Sequence, residues 1–178
     1  MTSRRKKWLQ ASAWLVFIYA TLPFARPVCE YLRKTIPFSF VINVTMVACL
    51  AVVILVLFRF LRLQKLSSYL ILSLMIACYL SLLWIIKIPE ERIHFFEYGI
   101  LAVFIERALR IKRKALLTYL VTIILTIVFG WLDEVIQHYL PGRYFGWQDV
   151  LYNAMGGILG VVLVYVVQRE TLNNEMSS

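Results

Sequence analysis

The chain has 178 residues, 61% of them hydrophobic and only 16% charged, with a mean hydropathy of +0.76. That is more apolar side chain than one water-soluble core of this length can enclose, so the composition excludes an ordinary soluble domain and points to an integral membrane protein. The net charge of +9 resides in short Lys/Arg clusters between apolar runs, with no RNA- or DNA-binding module around them, and nucleic acid is not expected as a partner.

A bilayer core of about 30 Å needs about 20 helical residues. Six segments supply that length: 8–25, 40–60, 68–86, 89–109, 115–139 and 148–168. The basic stretch Met1 to Lys7 and the apolar run from Trp8 imitate a secretory signal. The following Pro23-Phe24-Ala25-Arg26-Pro27 lacks the small residues a signal peptidase reads, so the first span is expected to stay in place. Pro37, Pro89 and Pro141 fall at span boundaries, where a residue without a backbone donor fits. Cys29, Cys49 and Cys78 form no metal-binding or redox motif and read as small apolar residues. No repeat or linker divides the chain. The expected fold is all-α: a single domain over 1–178, a polytopic membrane bundle of about six transmembrane helices.

Orientation follows from the basic residues. With the N-terminus cytoplasmic, one side receives 13 Lys and Arg, including Arg59, Arg62, Lys65, Arg107, Arg110, Lys112, Arg113, Lys114 and Arg169; the other receives Arg26, Arg33, Lys34, Lys87, Arg92 and Arg143. Cytoplasmic loops carry the excess, so a multi-pass protein of the cell membrane with both termini cytoplasmic is expected.

The last three spans bear an unusual polar load at one end, and ionisable groups at membrane depth mark function by default. In the fourth span the longest uncharged stretch, Tyr98 to Ile105, covers only about 12 Å of helix. Glu90, His94, Glu97 and Leu101 form one stripe, with Glu91 and Tyr98 beside it. The fifth span is uncharged from Ala115 to Leu132 and then turns polar at Asp133, Glu134, Gln137 and His138 before Pro141-Gly142 ends it. In the sixth, Asp149, Asn153, Gly156 and Gly160 share a face, and the Gly-x-x-x-Gly spacing allows membrane helices to approach closely. Arg143, between the last two spans, is the natural partner for these carboxylates or for an anionic substrate. Trp131, Tyr139, Tyr144, Trp147 and Tyr152 fit an aromatic belt at the membrane interface.

These residues, in this order, resemble the VanZ-like family of small bacterial membrane proteins, named for a member associated with resistance to the glycopeptide teicoplanin. The likeness is carried by His94-x-x-x-Tyr98, Asp133-Glu134-x-x-Gln137, Pro141-Gly142-Arg143, Asp149-x-x-x-Asn153 and the glycines after it, over residues 89–165. The first three spans agree only in being hydrophobic. The Asp-Lys pair that precedes the His in many members is replaced here by Glu90-Glu91-Arg92. The resemblance implies a cell-envelope role and a link to glycopeptide resistance without supplying a reaction.

The chemistry expected of the cluster is acid/base work, with Glu97 or Glu134 giving a proton and His94 or Asp149 accepting one. Tyr98, Gln137, Arg143 and Asn153 are the expected binding residues, for a membrane lipid or lipid-linked cell-wall precursor. No cofactor is expected. Glu91-x-x-His94 and Glu134-x-x-x-His138 have the spacing of helix-bundle metal ligands, but no metal is assigned. The alternatives are a small proton-coupled transporter and a lipid-binding or structural subunit without catalysis. Against a transporter stands the expectation that no polar residues continue to the cytoplasmic side, the first three spans offering only Asn43, Thr45 and Ser73 at mid-membrane.

Overall fold

The computed structural model describes residues 3–60, 63–110 and 115–177. Arg62, Lys112, Arg113 and Lys114, which entered the orientation count, lie outside the described residues. Six helices run in chain order: α1 (Ser3–Thr35), α2 (Phe38–Phe60), α3 (Leu66–Ile85), α4 (Pro89–Leu109), α5 (Ala115–His138) and α6 (Trp147–Ser177), with no strand among the described residues. All except α4 are long and apolar enough to cross a membrane, and the protein is a multi-pass helix bundle.

Helix α4 is the exception because of its charges, and its position answers for them. It is the hub of the bundle, packing against α1, α2, α5 and α6, so its polar faces meet protein instead of lipid. Pro89 occupies its first turn, where a missing N–H costs nothing, and Glu90 and Glu91 follow at the positive end of the helix dipole. The closest packing is with α6. A Cβ on Gly156 would collide with the carbonyl oxygen of Phe95, and one on Gly160 with that of Gly99, so the glycine pair sets the distance between the two helices. Gly157, on the neighbouring face, lies against Thr126 of α5. Tyr98, Leu101 and Ile105 of α4 and Ile18 of α1 fill the core beside this seam.

Two helices run further than the hydropathy pattern predicts. α1 continues about ten residues past Ala25, through Pro23 and Pro27. Its 33 residues span about 50 Å, well beyond a bilayer core of about 30 Å. Proline removes a backbone bond, but membrane helices tolerate it where neighbours compensate. Here the extension is tied down: Arg26 Nη1 donates to Gly142 O, and Arg33 Nη2 lies 2.5 Å from Glu90 Oε2. α6 continues past Gln168 because Glu170 is buried against the start of α3. There it accepts the Gln64 backbone N–H at 2.7 Å and the Ser68 hydroxyl at 2.6 Å.

Candidate functional site

The first turns of α4 and α6, the last turns of α5, the 139–146 connection and the α1 extension meet at one end of the bundle. They enclose a cavity of about 310 Å³, at the lower end of the range for small-molecule sites, about 300–1,000 Å³. Its lining brings together six of the residues expected from sequence: His94, Glu134, Gln137, Arg143, Asp149 and Asn153. Glu97 and Tyr98, expected with them, do not line it; they stand one turn deeper, behind His94.

A chain of contacts runs from that depth to the cavity. The Tyr98 hydroxyl, fully buried, lies 3.1 Å from both Phe129 O and Asp133 Oδ2. The opposite Asp133 oxygen accepts from Gln137 Nε2 at 3.2 Å. His94 Nδ1 sits 3.4 Å from Asp133 Oδ2 and 3.5 Å from Glu97 Oε2, at angles that make neither contact a hydrogen bond. Asp133 therefore stands with Glu97 behind the imidazole, although the sequence named it only among the polar residues that end the fifth span.

Glu134 is held from two sides. Gln137 Nε2 donates to one oxygen at 3.0 Å, and the Gly146 N–H donates to the other at 3.2 Å. Arg143 was expected to pair with a carboxylate; its Nη1 instead donates to Gln137 Oε1, because a glutamine whose amide group serves Asp133 and Glu134 turns its oxygen outward to the loop. The turn that brings Arg143 round rests on Gly142, whose φ of +72° suits glycine. On the other wall the Glu91 and Asp149 carboxyl groups face one another. Asn153 is 1% exposed, and neither its Nδ2 nor its Oδ1 has a hydrogen-bond partner among the described residues.

The α1 extension adds three cavity residues that the sequence did not single out, Arg26, Glu30 and Arg33, and Glu90 and Glu91 of the polar stripe line the cavity without having been given a role. For the three on α1, a spacing of four and three residues was the available signal, hidden by the expected stop at Pro23 and Pro27. Arg92, also missed, is buried beneath the cavity end, donating from Nε to Ile86 O at 2.8 Å and from Nη1 to Asn43 Oδ1. Tyr144 and Tyr152 line the cavity, whereas Trp131, Tyr139 and Trp147 are exposed as an interfacial belt would be. His138 is exposed and stacks edge-on with Tyr139, apart from buried Glu134. Among the described residues no group of three or more His, Cys, Asp and Glu side chains is arranged to hold a metal ion.

The expectation that polar residues stop at this end is overturned. Glu106 is buried at the far end of α4, accepting from Gln168 Nε2 at 2.6 Å and lying 3.3 Å from Arg110. Gln168 in turn accepts from the Tyr119 hydroxyl at 3.0 Å. Thr118, Thr122 and Thr126 form a buried row on α5 between the two ends. Hydropathy missed this because the threonines sit singly in an apolar run while Glu106 and Gln168 lie beside charged residues at span ends, where polar side chains are ordinary, and the Glu106–Gln168 and Gln168–Tyr119 bonds form only across helices.

A family model described as VanZ/LLP1 matches residues 2–168, so the match takes in the first three helices as well as the polar motifs. No curated protein and no solved structure matches the chain.

Proposed function

The chain belongs to the VanZ/LLP1 family, and from that starting point we propose that it binds the anionic head of a lipid or lipid-linked cell-wall precursor and carries out proton transfer on it. In this reading the protein lies in the cell membrane with both termini cytoplasmic, and the cavity opens to the external side. The observation that carries the reading is Asn153: a buried amide with no partner for either polar atom among the described residues, set in the wall of a cavity that holds three arginines among five carboxyl groups, those of Glu30, Glu90, Glu91, Glu134 and Asp149. A buried polar side chain left unpaired costs about 1–3 kcal/mol, a cost a ligand removes.

The roles divide by geometry. Arg33, Arg143 and Asn153 recognise the head, each guanidinium using N–H groups other than the one bonded to Glu90 or Gln137. His94 lines the cavity with the Asp133 carboxyl group 3.4 Å behind its ring, close enough to pair with the imidazolium formed when His94 takes a proton. Asp149 is the second acceptor, and Glu97, 3.5 Å from His94 Nδ1 on the side away from the cavity, is the acid that gives a proton by way of the imidazole. Glu134, with both oxygens already accepting hydrogen bonds, serves to hold Gln137 and the 139–146 connection in place. The family resemblance adds glycopeptide susceptibility as the expected cellular consequence.

The test compares lipids and cell-wall precursors in cells lacking the protein with cells carrying the wild type, His94→Gln or Asp149→Asn. One precursor or lipid should change in amount with the wild type and return to the level of the deletion with either variant, at equal protein abundance. Profiles that follow the wild type in both variants would overturn the catalytic roles.

A second reading, a small proton-coupled carrier, draws support from the threonine row and the Glu106–Gln168–Tyr119 group at the far end. Against it stands the packed layer of Tyr98, Leu101 and Ile105 between the two ends. Substrate flux into proteoliposomes would favour the carrier.

A further inference from the structure

A second cavity, apolar and of about 150 Å³, lies one helical turn deeper along the α4–α6 seam. The two cavities follow one another on the same helix faces: Glu91 and Tyr152 line the polar one, and Phe95 and Gly156, four residues further along each helix, line the apolar one. Cys49 and Val53 of α2 form one wall and Met75 and Tyr79 of α3 the other. The floor is α4 and α6, lowered where Gly99, Gly156 and Gly160 carry no side chain. α2 packs on α4 and α3 on α6 more than either packs on the other, which leaves a slot between them. The Tyr79 hydroxyl is already occupied, lying 3.2 Å from Met46 O.

We propose that this cleft seats the hydrocarbon chain of the amphiphile whose anionic head occupies the polar cavity; the proposal rests on the reading of that cavity given above and adds where the rest of the ligand goes. The succession of the two cavities on the same faces of α4 and α6 is the first argument. The second is chemistry: the cleft offers apolar side chains and one weak donor, the Cys49 thiol, so the guest is apolar, while the guest next door meets arginines and carboxyl groups. Size is the third. An apolar cavity of about 150 Å³ accepts a six-carbon ring, so the cleft takes a stretch of one chain, whereas a helix of about 10–12 Å diameter does not enter it.

The experiment uses the full chain in nanodiscs with two photoreactive probes, a long-chain alkyl phosphate and the matching alkyl alcohol, each with a diazirine in the chain. Crosslinks are mapped by mass spectrometry. Because α4 is enclosed by other helices, label on Ile100 and Val103 reports a chain inside the cleft, while label on exposed Leu55 and Leu74 reports surrounding lipid. The phosphate probe should label Ile100 and Val103; Val53→Phe should lower both signals, and Ile100→Trp the signal on Val103, about tenfold, equivalent to about 1.4 kcal/mol. Two variants in different walls guard against a single misfolded one, and thermal unfolding identifies such a case. Label confined to Leu55 and Leu74, or crosslinks to a second polypeptide through the cleft, would overturn the proposal. Equal labelling of the cleft by phosphate and alcohol would uphold the chain site and instead reject the polar cavity as its anionic headgroup site.

Discussion

Asn153 illustrates how little a residue's type says until its neighbours are known. The adjacent turn of α5 leaves room for it only because Gly130 has no Cβ, which would lie 2.8 Å from the Asn153 Cβ. The amide is thereby buried at the cavity wall without partners. Removing the amide while keeping its shape should therefore help the ligand-free protein and harm the liganded one. Asn153→Leu is expected to raise stability in detergent, measured by thermal unfolding without ligand, by about 1–3 kcal/mol. The same variant should lose the envelope phenotype. A loss of both stability and phenotype would mean that the amide is bonded within the protein and that its role is structural. His94, Glu134, Gln137, Asp149 and Asn153 were readable from the sequence because a polar side chain inside an apolar run has few harmless explanations. Arg26 and Arg33 were not, because cations past a proline near a span end are what any membrane helix displays.

At the scale of the elements, the site depends on how closely α4 and α6 approach, since each contributes one wall. The glycines that permit the approach are not equivalent. A Cβ on Gly156 or Gly160 meets backbone carbonyl oxygen, which cannot rotate away, whereas a Cβ on Gly99 would sit 3.3 Å from Gly156 O, a contact that eases with a small shift. Overpacking costs about 1–3 kcal/mol. Gly156→Ala is expected to fall in that range in thermal unfolding, and Gly99→Ala well below it. Equal and negligible effects would show that the seam does not set the helix spacing. The spacing motif was visible in the sequence, but its partner was not, because Gly-x-x-x-Gly does not say which helix it meets. The ends of α1 and α6 were misjudged for a related reason: hydropathy marks where a helix leaves the lipid, and both helices continue on contacts made by Arg26, Arg33 and Glu170 with distant parts of the chain.

For the whole molecule, orientation decides which compartment the polar cavity serves. The basic residues at the cavity end are informative here. Arg26, Arg33, Arg92 and Arg143 each hold a protein partner, so four of the six cations that run against the bias belong to the structure of that end. Tyr144 and Met176 are both exposed, near opposite ends of the bundle. In a background with Cys29, Cys49 and Cys78 replaced, a membrane-impermeant maleimide should label Tyr144→Cys in intact cells and Met176→Cys only after permeabilisation. The reverse pattern would place the cavity in the cytoplasm and remove the external precursor as its ligand.

Composition together with continuous apolar runs of about 20 residues dictated a helical membrane protein, because lipid admits only helices or closed barrels and barrel strands alternate in polarity. The charged stripes marked three helices as carriers of a site for the same reason, the cost of bringing ions to membrane depth. Partnership was beyond reach of that argument. Asp133 standing behind His94, α1 contributing arginines to the cavity of other helices and the apolar cleft following the polar cavity along one seam all depend on distances between segments remote in the chain. Those distances come from packing, which no local pattern of polarity records.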